Sequence, residues 1–284
     1  MTTAPSTIPV SVVVMTKNEE SNLPKCLASV SRFDEVFVVD SQSEDRTQEI
    51  ARSTGATVVE FVWDGRYPKK KQWCLDNLPY AYEYVLFLDA DEELTAAFVD
   101  EVARLAAGGF DRAGYFVRYD YVFLGKRLRH GLRVHKLVLF DRNRARYVAQ
   151  DDLDVDTMWE VEGHYQPSID GPVGALRERM VHHDEVGLYH YFERHNRYSD
   201  WEAALRSRGG LGRDSETQTA GRSRLKRTFA KAPFRPLAIF VYSYVLAGGF
   251  LDGRAGFHYA VSRGFYYWQI GLKLQERSPS RVSQ

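Results

Sequence analysis

Only two cysteines, Cys26 and Cys74, occur in 284 residues, far apart and each within an apolar-periodic segment. That excludes a disulfide framework or a cysteine-rich metal site and predicts two reduced core thiols. There is no excess of one charge: 38 Lys plus Arg balance 38 Asp plus Glu. A global attraction to nucleic acid is therefore excluded, and any electrostatic partner must meet a local patch. No apolar run reaches the roughly 20 residues of a spanning helix. The opening MTTAPSTIP lacks the basic and apolar regions of a signal peptide, so the expected location is the cytoplasm.

What is present is an alternation. VSVVVMT, EVFVVD, TVVEFV and YVLFLD are short β-rich runs, separated by segments of helical period such as Leu23, Cys26, Leu27 and Val30. Continuous apolar strands with helices between them predict a parallel sheet covered on both faces. Asp45 and Gln48 have the spacing of a capping box, with Gly55 placed to close that helix. After Gly108-Gly109 the period changes, and AGYFVRYDYVFLGKRL and HKLVLFDRNRARYV read as antiparallel strands. Helices follow from about Leu188. The fold class is therefore α/β with a mixed sheet.

Ligands bind such sheets beyond the carboxyl ends of the strands, and here those ends read TKNEE, DSQSED and DADEE. In YVLFLDADEEL an apolar strand runs into Asp89, Asp91, Glu92 and Glu93. Carboxylates so close repel by roughly 1 kcal/mol per pair in water and more in a cleft, so they need a cation or full solvation. Paired hard oxygens suit Mg²⁺ or Mn²⁺ bridging to substrate phosphates, and Asp89 and Asp91 face the same way if the strand stays extended. The competing reading is a set of caps for the helix that follows, Thr95 to Ala107.

VVVMTKNEESNLPKCLASV, EVFVVDSQSEDRTQEIA, KKKQWCLDNL, YVLFLDADEEL, DGPVG, RHNRYSDWEA and FLDGRAGF occur in that order. In this order the chain resembles the family 2 glycosyltransferases of GT-A fold, and among them bacterial enzymes that build lipopolysaccharide core or exopolysaccharide on lipid-linked acceptors. The resemblance implies a Rossmann-like, mainly parallel sheet in a catalytic domain over 1–187. Its nucleotide half would cover about 8–107 and its acceptor half about 110–187, with a helical C-terminal region over 188–284. It implies inverting transfer from a nucleotide-sugar with Mn²⁺ or Mg²⁺ on the donor diphosphate. Residue by residue it places Thr16, Asn18 and Glu19 at the nucleotide, Asp40 at the base, Asp89 at the ribose or a metal-bound water, and Asp91 on the metal.

Lys71 matches a basic position near the donor phosphates, and Gln72 stands where asparagine is commoner. Lys69 and Lys70 read as a solvated basic face. A general base has to take the acceptor's hydroxyl proton. Relatives carry Val-His-Glu-His before DGPVG, whereas this chain has MWEVEGHYQPSIDGPVG, leaving Glu162 as first choice and Glu160 as second. His182 matches a position that in relatives reaches the metal. Arg194 and Arg197, three apart, would share a helix face suited to gripping a diphosphate, or leave Arg197 paired with Glu193.

Between Thr217 and Leu251 no acidic residue occurs, and Arg222, Arg224, Lys226, Arg227, Lys231 and Arg235 precede or open PLAIFVYSYVLAGGFL. This pattern suits a helix in a membrane interface on anionic headgroups, with Tyr266, Tyr267 and Trp268 as a second anchor. The protein would then sit peripherally on the inner face of the plasma membrane. The alternative is a hairpin packed on the catalytic domain or on a second subunit. Two enzyme rivals lose ground. A nucleotidyltransferase would carry an N-terminal glycine-rich phosphate loop, absent here, and haloacid-dehalogenase phosphatases place Asp-x-Asp at the first strand. A third rival, from another class, is an inactive member that binds nucleotide-sugar or scaffolds a membrane complex.

Overall fold

A computed structural model describes residues 7–162, 165–183, 187–209 and 234–278. They fall into two compact units. One comprises residues up to Asp120, Val134–Val148 and Glu160–His183; the other comprises Tyr121–Arg133, Ala149–Trp159 and the chain from Asp184 onward.

The first unit is built on β1 (Ile8–Thr16), β2 (Phe33–Asp40), β3 (Thr57–Glu60) and β4 (Tyr84–Asp89). They lie in the order β3-β2-β1-β4, all parallel. Val10, Val12, Val13, Val14, Val38, Val39, Leu86 and Leu88 are fully enclosed, as expected of strands covered on both faces. The helices between them are α1 (Leu23–Ser29), α2 (Thr47–Ser53) and α3 (Lys70–Asn77). The apolar face of α1 and the following Val30 are buried, and both cysteines are free and buried.

The antiparallel half begins after α4 (Ala96–Gly108). Here β6 (Gly114–Phe123) pairs with β8 (His135–Asp141), which pairs with β4. The turn after β8 is held by Asp141, whose carboxylate accepts from the Asn143 amide at 2.8 Å. The short β5 (Glu92–Leu94) pairs antiparallel with β11 (Val173–His183). Between β8 and β11, β9 (Ala145–Arg146) pairs with β10 (Ser168–Ile169) in a separate two-stranded sheet.

Three local expectations are corrected. The capping box of α2 does not form: Asp45 accepts from the Thr47 amide at 3.0 Å, while Gln48 turns away and donates to Asp40 at 2.8 Å. The strand is not extended through Asp91, because β4 stops at Asp89 and Ala90-Asp91 is a turn. Lys69 and Lys70 are not a solvated face, since each is 1% exposed. The loops after β1 and β2 close over Lys70, whose ammonium donates to Thr16 O at 2.9 Å and Ser41 Oγ at 2.7 Å.

The second unit contains β7 (Lys126–Arg127), paired with the end of β6, and helices α5 (Leu188–Ser207), α6 (Arg235–Val241) and α7 (Gly253–Glu276). A π-helical turn over Tyr242–Leu246 and a 3-10 turn over Gly249–Asp252 join α6 to α7, with a 70° bend between the two arms. No single helix among the described residues is long and apolar enough to cross a membrane. Asp252 pins this corner: its carboxylate accepts from the Arg129 amide at 3.0 Å and the His130 amide at 2.8 Å. Tyr266 is core rather than anchor, with its hydroxyl on Glu202 at 2.6 Å, whereas Trp268 is exposed. Arg222, Arg224, Lys226, Arg227 and Lys231 lie outside the described residues.

Candidate active site

The carboxylates of DADEE are not helix caps. Thr95 caps α4 through its own hydroxyl, which accepts from the Phe98 amide at 3.2 Å, and no acidic residue stands in that helix's first turn. Instead each carboxylate meets a cation or an imidazole. Asp89 Oδ2 and Glu92 Oε1 share the Lys136 ammonium at 3.0 and 2.8 Å. Asp91 Oδ2 lies 3.6 Å from His182 Nε2, and Glu93 is 2.7 Å from His183 Nε2. The pairing of β5 with β11 sets Glu92 opposite His182, and so creates the last two contacts.

A small cleft, open to solvent, lies beside the carboxyl end of β4. Lys71, Asp89, Glu92, Lys136, Tyr147 and Gln166 are among its walls. Burial opposes ionisation of Asp89, but the Lys136 and Lys71 ammoniums outweigh it and hold the carboxyl well below its usual range. Glu92 is pushed up, chiefly by its complete burial. An ionised acid and two lysines thus face one small space.

The strand-end loops form a separate cluster. Asp40 is fully buried and accepts from the Thr16 hydroxyl at 2.9 Å, the Ser43 amide at 2.9 Å, the Ser43 hydroxyl at 2.5 Å and Gln48 Nε2 at 2.8 Å. These bonds depress its pKa in spite of burial. The acceptor capacity that the resemblance offers to a nucleobase is taken up by the protein, and Asp40 is the hub of the loops. Asn18, at φ 55°, and Glu19 complete the cluster. Asn18 exchanges hydrogen bonds with the Ser43 hydroxyl and the Glu44 amide, and the Glu19 amide donates to Thr47 Oγ1 at 2.8 Å.

Glu162 and Glu160 differ sharply. Both oxygens of Glu162 accept amide hydrogens at the start of α3, from Lys71 at 2.6 Å and Gln72 at 3.0 Å, and the residue is 1% exposed. Desolvation raises its pKa although those bonds favour the charged form. Glu160 uses its backbone carbonyl to accept from the Lys70 amide at 2.8 Å, and its half-buried carboxylate takes no part in capping α3. The glutamine in the asparagine position bridges α3 to the far wall: Gln72 Oε1 accepts from the Tyr147 amide at 2.7 Å. Arg194 and Arg197 belong to the second unit. There Arg197 stacks over Trp159 at 5.3 Å, and Glu193 is met by His190 at 3.3 Å.

With this geometry established, sequence comparison decides the family. The Glycosyl transferase family 2 model matches residues 11–158, more than half of the chain. The chain belongs to glycosyl transferase family 2. It is 26% identical over 285 residues to the lipopolysaccharide core biosynthesis glycosyltransferase LpsC of Rhizobium meliloti strain 1021, covering 95% of this chain and 93% of that protein. An uncharacterised glycosyltransferase of Rickettsia typhi is 36% identical over 102 residues, 34% of this chain and 33% of its own. Among solved structures, glucosyl-3-phosphoglycerate synthase from Mycobacterium tuberculosis with Mg²⁺ and uridine diphosphate aligns at TM-score 0.43 and 20% identity over 70% of this chain and 79% of that one. The same enzyme with Mn²⁺, uridine diphosphate and glucosyl-3-phosphoglycerate gives TM-score 0.31 and 26% identity, with this chain spanning 43% of its length. A family 2 glycosyltransferase thus carries Asp89 and Asp91 at the carboxyl end of β4. Sequence reasoning missed Lys136 and Glu92 as members of its site, although a lysine near the start of the apolar run HKLVLF was a signal.

Proposed function

We propose that this glycosyltransferase moves a sugar from a nucleotide-sugar, with inversion, to a lipid-linked saccharide in lipopolysaccharide or exopolysaccharide assembly. The observation that carries the donor reading is the cleft in which Lys71 faces Asp89, beside the Asp91–His182 pair. The acceptor reading rests on the likeness to LpsC along nearly the whole chain.

The residues fit a divalent metal of the substrate-completed kind. One carboxylate and one imidazole converge at Asp91 and His182, and no group of three or more His, Cys, Asp or Glu able to hold a metal occurs among the described residues. Mg²⁺ and Mn²⁺ commonly keep waters and take substrate phosphates as their remaining ligands. Asp91 and His182 would hold the ion; bound there, it would stabilise charge on the departing diphosphate. Lys71 offers a second positive charge to the phosphates, while Asp89 presents an ionised oxygen to a ribose or sugar hydroxyl. Asp40 keeps Thr16 and the Ser43 loop in place for the nucleoside. Glu160 is the better placed base, because its carboxylate is not committed to α3; it would take the acceptor's proton as that oxygen attacks the anomeric carbon.

Membrane attachment belongs to the same reading. Phe257, Val261, Phe265, Trp268 and Leu272 form an exposed stripe on α7, and Leu237, Val245 and Leu246 are exposed on the preceding arm. An apolar stripe of this kind suits a lipid interface.

A panel of nucleotide-sugars tested for hydrolysis with Mn²⁺, Mg²⁺ or EDTA examines the core of the proposal. Metal-stimulated release of nucleoside diphosphate from one donor is expected, and Asp91→Asn should abolish that stimulation without lowering the melting temperature. A thermal shift without turnover would leave a nucleotide-sugar-binding role instead, and a panel with neither would leave a scaffolding role.

A further inference from the structure

We propose that Lys136 is a positioning residue for the donor: its ammonium ties one Asp89 oxygen to the buried Glu92, which leaves the other Asp89 oxygen facing the cleft. The inference rests on the donor reading above.

The geometry is a chain of restraints. Glu92 is 1% exposed, and its Oε2 accepts from the Asp89 amide at 3.1 Å and from the Tyr119 hydroxyl at 3.5 Å. Its Oε1 accepts from Lys136 Nζ at 2.8 Å, and the same ammonium reaches Asp89 Oδ2 at 3.0 Å. Tyr119, itself 1% exposed, lies with its ring 5.0 Å from that ammonium, so the cation has a packed wall as well as two acceptors. Lys136 is paired across the sheet with Val117, which fixes the start of its side chain. Over a third of the Asp89 side chain is exposed, and its Oδ1 receives no hydrogen bond among the described residues.

A carboxylate free to rotate would present either oxygen, in many orientations, to an incoming hydroxyl. Here rotation would break a charge-assisted bond, so one oxygen is anchored and its partner is presented. Glu92 is the fixed post, Lys136 the link and Asp89 the working end. The residue types follow: a lysine reaches both acids from the opposite strand, and a neutral side chain would leave Glu92 without its cation.

The test measures binding of UDP, GDP, ADP, CDP and dTDP to the full-length protein by calorimetry with Mn²⁺, and donor hydrolysis for whichever nucleotide binds. Lys136→Met should weaken binding of that nucleotide's sugar conjugate roughly tenfold to a hundredfold, the range of a lost charge-assisted bond. The loss should appear mainly in KM for the donor. Lys136→Arg should recover a large part of it, and Glu92→Gln should fall between. Lys136→Met on an Asp89→Asn background should add little, because the link then has nothing to position. Unaltered affinity in a folded Lys136→Met protein, or equal losses on both backgrounds, would overturn the proposal while leaving the donor reading standing. If Lys136→Met does not fold, Glu92→Gln and Lys136→Arg carry the same comparison, and wild-type affinity in Glu92→Gln would overturn it. A wild-type protein that binds none of the five nucleotides would remove the donor reading, and this inference with it.

Discussion

At the scale of single residues, the two glutamates before DGPVG should separate into different phenotypes. Glu160→Gln is expected to keep donor affinity and lose transfer by about 10²-fold or more, as for a missing general base. Glu162→Gln should instead lower stability by about 1–3 kcal/mol, because a buried charge-assisted cap on α3 is lost. It should also weaken donor binding through the neighbouring Lys71, with turnover persisting at saturating donor. Transfer assays alongside urea unfolding read both, and the reverse pattern returns the base to Glu162. Lys70 gives a pH signature. Burial lowers its pKa from 10.5 to about 8, so the folded state binds a proton less readily than the unfolded chain. The cost is fully present below pH 8 and is relieved as pH rises toward 10.5, so this group makes stability increase by about 2 kcal/mol between pH 7 and 9.5. Lys70→Met should lack that increment when unfolding curves are compared at the two pH values. Neither residue was legible as it stands. Lys69 and Lys70 read as a wet face until the loops after β1 and β2 fold over Lys70, and Glu162 reads as the base until the start of α3 is placed against it. The need of the DADEE acids for positive partners was legible, because carboxylates crowded at the end of an apolar strand repel one another.

At the scale of elements, strand and helix alternation was readable because β1 and β4 carry the apolar runs VVVM and VLFL and α1 shows a clean buried face. The α2 capping box was misread for a specific reason: Asp40, at the end of β2 and outside the Asp45–Gln48 pattern, competes for Gln48 and wins a charge-assisted bond. The corner between α6 and α7 shows what glycine identity decides. A Cβ on Gly256 would stand 2.0 Å from Gly249 O and 2.9 Å from Asp252 Cβ, so backbone would have to move. Gly256→Ala should therefore destabilise by about 1–3 kcal/mol, as overpacking does. Gly271, in the same helix, has nothing within 4 Å of the corresponding Cβ. Gly271→Ala should be neutral or stabilising by up to about 1 kcal/mol, the difference in helix propensity. Chemical unfolding of the pair checks the assignment, since equal effects would mean the close approach at Gly249 is not kept in solution.

At the scale of the whole molecule, the parallel half and the switch to antiparallel strands after Gly109 follow from patterning, whereas the grouping of Tyr121–Arg133 and Ala149–Trp159 with the C-terminal helices does not. That grouping depends on contacts such as Trp201 Nε1 on Asp152 at 2.7 Å, which no local period encodes. The same unit carries the exposed stripe of α7, and attachment to lipid can be tested there without touching Asp89 or Asp91. Wild-type protein should sediment with vesicles containing phosphatidylglycerol at low salt. Raising salt from 0.1 M to 1 M shortens the screening length from about 10 Å to about 3 Å, so the electrostatic part should fade while the apolar part remains. Phe240 and Tyr244 pack against Phe257, so Leu246, 74% exposed, and Trp268 are the better candidates for insertion. Replacing Arg222, Arg224, Lys226 and Arg227 with Gln should cost about 1 kcal/mol per charge at the surface and remove most of the salt dependence. Replacing Leu246 and Trp268 with Ser should remove the salt-resistant part. Neither set touches the cleft residues, so hydrolysis of a soluble donor should survive both. A wild-type protein that ignores anionic vesicles at low salt and forms a stable dimer through α7 would assign the stripe to a second copy of the chain, and the lipid-linked acceptor would then rest on the likeness to LpsC alone.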